Sequence, residues 1–81
     1  MDRSAIEAVA CATLKAIAPE VDVAALKPDR PLRSQVDLDS MDWLNFLIGL
    51  HRELKVEIPE TDYARLVTLD NVVDYLAARL G

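Results

Sequence analysis

The sequence predicts an all-α fold with three substantial helices and one short one. Apolar residues recur at the 3.6-residue period in three separate stretches. Prolines at positions 19, 28, 31 and 59 fall between those stretches and break them apart. Only two glycines occur in 81 residues, one of them the last, which leaves little material for tight hairpins. The chain is 52% hydrophobic but has a single Trp, a single Phe and two Tyr, so its core must be mostly Leu, Ile, Val and Ala.

The first helix is expected from about Ser4 to Ala18. Ser4 and Glu7 have capping-box spacing, and Ile6, Val9, Ala10, Thr13, Leu14 and Ile17 form one stripe before Pro19 stops the pattern. Cys11 lies beside that stripe as a small packing residue, since thiol reactivity requires a local activator.

No sustained periodicity follows from Pro19 to Asp39. A short turn fits Val23–Leu26, and Val21, Val23, Leu26, Leu32, Val36 and Leu38 are spaced to pin the segment across a core. An irregular stretch of that length is either functional or hides an element. It most simply spans a bundle between two helices that run roughly parallel.

The next helix runs from about Ser40 to Lys55 or Val56. Trp43, Phe46, Leu47, Leu50 and Leu54 share one face, while Met41, Leu44 and Ile48 line another, roughly 145° away. A domain of this size cannot easily bury both sides of one helix, so Met41, Leu44 and Ile48 are predicted to be at least partly exposed. Such a line marks a partner site, the alternative being a helix central enough to be covered on both faces.

Pro59 ends that segment after Glu57-Ile58, and Thr61 or Asp62 could cap a short turn through Tyr63, Ala64, Arg65 and Leu66. The last helix is expected after Thr68, as its N-cap, with Leu69, Val72, Val73, Leu76 and Leu80 inward. Arg79 suits its C-terminal dipole, and Gly81 closes the chain. No repeat, low-complexity tract or composition shift divides residues 1–81, which read as one domain.

Charge narrows the function classes. With 14 acidic and 9 basic residues the net charge is −5, which repels phosphate backbones and argues against nucleic acid. An acidic surface steers towards basic patches on other proteins. One cysteine permits no internal disulfide, no apolar run approaches a membrane span, and Met1-Asp2-Arg3 opens no signal peptide. A monomeric cytoplasmic protein is expected.

The chemistry gathers at Asp37-Leu38-Asp39-Ser40-Met41-Asp42, where the irregular segment meets the second long helix. A helix N-terminus favours anions, so Ser40 either caps the helix or is where a phosphate is attached and held. Hydrolytic catalysis is hard to build here. The single histidine, His51, lies about 16 Å down the same helix from Ser40, too far to act as its base. No metal site is expected: a calcium loop needs a ligand where Met41 stands and a glycine next.

The order of these features resembles the acyl carrier protein family over nearly the whole chain. The resemblance is strongest from Asp39 to Glu60, and Ile58-Pro59 and Val72-Val73-Asp74-Tyr75-Leu76 lie in register with it. It implies a four-helix bundle of three main helices plus a short one, with a long loop between the first two. Ser40 would be the covalent attachment point of 4′-phosphopantetheine, transferred from coenzyme A by a phosphopantetheinyl transferase, with Asp39 helping that enzyme or its metal engage. The protein itself would catalyse nothing. It would carry acyl intermediates as thioesters and present them to acyl-loading and acyl-using enzymes of lipid or polyketide-type biosynthesis, fatty acid biosynthesis included.

Met41, Asp42, Leu44, Asn45, Ile48 and Arg52 would form the partner-binding face. Leu32, Trp43, Phe46, Leu47, Leu50 and Leu66 would line an acyl pocket, with the bulk of Trp43 at its entrance shortening or closing it. The chain departs from fatty-acid-synthesis carriers in having Asp37-Leu38 before Asp39-Ser40. Where their second helix is rich in glutamates, this one has Asn45, Gly49, His51 and Arg52. Those departures point to a specialised, freestanding carrier with fewer partners. The alternatives are a carrier of aminoacyl or other non-fatty groups, and a small helical interaction domain in which Ser40 is only a cap.

Overall fold

The structure, a computed structural model, describes residues 1–80, so the closing role expected of Gly81 lies outside the described residues. Among the described residues there are four α-helices: α1 (Arg3–Ile17), the single turn α2 (Leu32–Gln35), α3 (Ser40–Leu54) and α4 (Leu69–Leu80). Two 3₁₀ turns, Val23–Ala25 and Glu60–Arg65, complete the helical content. The all-α expectation holds, with three long helices and the short one at 60–65, which winds as 3₁₀.

Helix α1 begins earlier than Ser4. Asp2 is its N-cap and accepts from the Ala5 N–H at 2.8 Å. Both Asp2 and Ser4 are competent caps, and the one further upstream lengthens the helix by two residues. The stripe lies as its period requires: Ile6, Ala10 and Leu14 are buried, with Val9, Thr13 and Ile17 at its margins.

Helix α1 packs against both α3 and α4. Gly49 sits at the α1–α3 contact, where an added Cβ would come within 2.7 Å of the Thr13 γ-methyl. Thr13 cannot turn that methyl aside cheaply, because its hydroxyl donates to the Val9 carbonyl at 2.8 Å. At this position the absence of a side chain sets how closely the helices approach.

The segment 19–39 contains the turn expected near Val23, capped by Asp22, and also the unexpected α2. Gln35 organises it. Its Oε1 accepts from the Lys27 N–H at 2.7 Å, and its Nε2 donates to the carbonyls of Lys27 and Arg30 at 2.9 and 3.0 Å. Val21, Leu32, Val36 and Leu38 are buried beneath, so the loop lies across the core as their spacing predicts.

The loop is also tied to the start of α4. The Leu32 N–H donates to the Val67 carbonyl at 2.9 Å, and the Asp70 N–H to the Pro28 carbonyl at 3.0 Å. Thr68 caps α4 as expected, and Asn71 answers it: each side chain accepts from the other residue's N–H at 3.0 Å. This reciprocal arrangement satisfies donors on both sides of the helix start.

Asp62 does not cap the 3₁₀ turn, whose N-cap is Pro59 with no side-chain bond. It is used across the fold instead. The buried Tyr75 donates its hydroxyl to Asp62 at 2.6 Å, and Arg79 reaches the same carboxylate at 3.1 Å while lying over the Tyr75 ring. The hydrogen bond from Tyr75, ahead of the charges of Arg65 and Arg79, holds the Asp62 carboxyl below its ordinary value. Burial, and then the same bond, pushes the Tyr75 hydroxyl up.

Candidate functional site

Three features position Ser40. Val36 and Leu38 anchor the end of the loop in the core, leaving Asp37 and Asp39 exposed between and after them. Asp39 then adopts an extended conformation and caps α3, its carboxylate accepting from the Asp42 N–H at 2.8 Å. Its carbonyl accepts from Trp43 at 3.0 Å. Ser40 is therefore the first residue inside the helix, exposed and one position past the cap.

That placement decides one of the two roles open to Ser40. The cap is Asp39. The hydroxyl of Ser40 is left over for other chemistry, and no described residue accepts the N–H of Ser40 or Met41. Two outward backbone donors beside a free hydroxyl, at the positive end of a 15-residue helix, suit a phosphate ester on that oxygen. A phosphodiester on Ser40 thus fits the residues present.

The two faces of α3 separate as its periodicity predicts. Phe46, Leu47 and Leu50 are buried at 0–1% exposure, whereas Met41, Leu44 and Ile48 expose 68%, 39% and 40%. Asn45 and Arg52 are exposed on the outer side with them, and Asp42 is half-buried near the helix start. At the far end His51 turns back, its Nδ1–H donating to the Val56 carbonyl at 2.7 Å, and Lys55 ends the helix with φ 55°.

Leu32, Phe46, Leu47 and Leu50 form part of one continuous core with Leu66, which is 3% exposed. Trp43 is half-buried, its ring centroid 5.3 Å from that of Phe46. A groove of about 210 Å³ opens at Trp43 and Leu66, with Arg33, Tyr63 and Val67 along its sides. Tyr63 and Val67 were not among the residues singled out by sequence. Val67 breaks no rule of periodicity, and only its 44% exposure beside the groove marks it.

Away from this end, Cys11 packs against the core, and burial followed by the charge of Glu7 pushes its thiol up, away from the reactive thiolate. No group of three or more acidic, His or Cys side chains is placed to hold a metal among the described residues. No described helix is long and apolar enough to cross a membrane.

Comparison with known proteins gives three findings. Residues 5–76 match the family described as the phosphopantetheine attachment site. An acyl carrier protein of Campylobacter jejuni subsp. doylei is 29% identical over 66 residues, covering 78% of this chain and 86% of that one. One from Campylobacter curvus is 30% identical over 56 residues, covering 69% and 73%. Among solved structures, the acyl carrier protein of Enterococcus faecalis superposes with a TM-score of 0.75 at 20% identity, covering 98% of this chain and 99% of that one.

Proposed function

This chain belongs to the acyl carrier protein family, whose members bear covalent 4′-phosphopantetheine, and we propose that Ser40 is the residue that bears it here. The observation that carries the proposal is the division of labour at the start of α3: Asp39 caps the helix, which frees the exposed Ser40 hydroxyl for esterification. The group would supply a thiol on a flexible arm of about 20 Å, close to the shortest dimension of a body of 30 × 25 × 21 Å, and an acyl chain would be held on it as a thioester.

The chain's own residues hold and present that arm. The Ser40 and Met41 N–H groups, which no described residue accepts, would hold the phosphodiester, and Asp39 would keep the helix start in register for the phosphopantetheinyl transferase. Met41, Leu44 and Ile48, with Asp42, Asn45 and Arg52 around them, form the docking face for that enzyme and for the enzymes that load and use the cargo. The protein works as a shuttle and not as a catalyst. Its departures from a glutamate-rich docking helix favour a specialised route over housekeeping fatty acid synthesis.

The test is intact mass after incubation with coenzyme A and a promiscuous phosphopantetheinyl transferase. Wild type should gain one phosphopantetheine and Ser40→Ala none; an unmodified wild type would sink the proposal. The groove at Trp43 and Leu66 is the proposed entry for the acyl chain, which would part the packed core to lodge against Leu32, Phe46, Leu47 and Leu50, with Trp43 limiting its length. Trp43→Ala should therefore protect longer acyl thioesters from hydrolysis than wild type does. Equal protection of long chains in both would remove Trp43 from this role.

A further inference from the structure

We propose that the exposed face of α3 is a docking strip of two signs. It fits a partner protein that presents basic groups beside Ser40 and carboxylates beside Arg52 and Lys55, with an apolar patch between them. This rests on the carrier reading above, which makes that face the docking surface.

The strip is read directly from the helix. Asp37 and Asp39 are exposed at its start and Asp42 is half-buried just inside it. The apolar line of Met41, Leu44 and Ile48 follows. At 100° per residue Arg52 lies about 40° from Ile48, so the apolar line runs into its cation, and Lys55 follows just past the last helical residue, where φ 55° takes it off the helical period. Both are exposed. From Ser40 to Lys55 the strip extends about 22 Å.

Basic residues in a last turn also suit the helix dipole, and the other helices show what that use looks like. In α1, Lys15 donates to the Val21 carbonyl at 3.0 Å, and in α4, Arg79 is held by Asp62. Each of those cations is spent on the fold. Arg52 and Lys55 form no ion pair with any described residue, and both are exposed. Their charge faces outward along the docking line. A partner with a wholly basic patch would meet repulsion at the Lys55 end, and one with carboxylates there would be favoured; like charges brought together at an interface are strongly selected against.

The experiment starts from holo-protein whose phosphopantetheine has been confirmed by mass, so failure of the carrier reading shows before this step. The probe is a malonyl transacylase whose carrier-docking patch is lined with lysine and arginine. Its kcat/KM is measured at low salt on wild type, Arg52→Gln/Lys55→Gln and Arg52→Glu/Lys55→Glu, each checked by thermal melting. Charge reversal should raise kcat/KM about tenfold and neutralisation by less, with both gains shrinking as salt screens the strip. Equal kcat/KM for folded wild type and reversed protein at low salt would overturn the proposal.

Discussion

At the start of α4, Thr68 and Asn71 each accept from the other's backbone N–H at 3.0 Å, and bonds from Leu32 to Val67 and from Asp70 to Pro28 cover the junction with loop. At the start of α3 only half of that arrangement exists. Asp39 accepts from Asp42, but Asp42 returns no bond. Both helices are 12 to 15 residues long and carry similar dipoles, so the same positive end is spent internally in one and left outward in the other. What separates the closed helix start from the open one here is how many of its donors the fold has already used.

The contrast is sharpest for covalent loading. Thr68→Ala should accept phosphopantetheine as wild type does, whereas Ser40→Ala should accept none yet keep its stability within about 0.5 kcal/mol, as expected for an exposed residue that caps nothing. In urea unfolding the order reverses. Thr68→Ala should cost about 2 kcal/mol and Asp39→Ala about 1 kcal/mol, because only the first also loosens a junction that binds the loop. Equal losses would mean that the closed end gains nothing from its second layer of bonds.

The smallest expected difference depends on pH and acts on the α4 side. Asp62, lowered chiefly by its bond from Tyr75, binds fewer protons folded than unfolded. It therefore contributes stability that is fully present above the unfolded carboxylate value of about 3.9 and lost as pH falls through the lower folded value. Urea midpoints followed downward from pH 5 should fall less steeply for Asp62→Asn than for wild type. An identical slope in both would show that this carboxyl has no special share in acid stability.

The long elements and the exposed line on α3 were legible in the sequence, because a 3.6-residue period sustained over four turns has few other solutions. Thr68 was legible for the same reason: a cap is a local event. The single turn of α2 was not, since four residues carry no period. Its organiser, Gln35, acts on Lys27, eight residues away, through contacts that exist only once the loop has folded. Asp62 misled in the opposite sense. It satisfied the local rule for a cap, but Tyr75 and Arg79 compete for its carboxylate from 13 and 17 residues further on. At the candidate site the sequence left cap and attachment open for Ser40, and the structure bears on the first alone, giving the cap to Asp39 one residue earlier.

The contact between Gly49 and Thr13 limits how this carrier could be re-engineered. Grafting the glutamate-rich docking helix of a relative onto α3 would put a side chain where the γ-methyl of Thr13 already stands, so a graft reaching residue 49 needs a matching change in α1. Swaps confined to residues 45 and 52 meet no such constraint, whereas His51 holds the Val56 carbonyl and Lys55 sits at a positive φ.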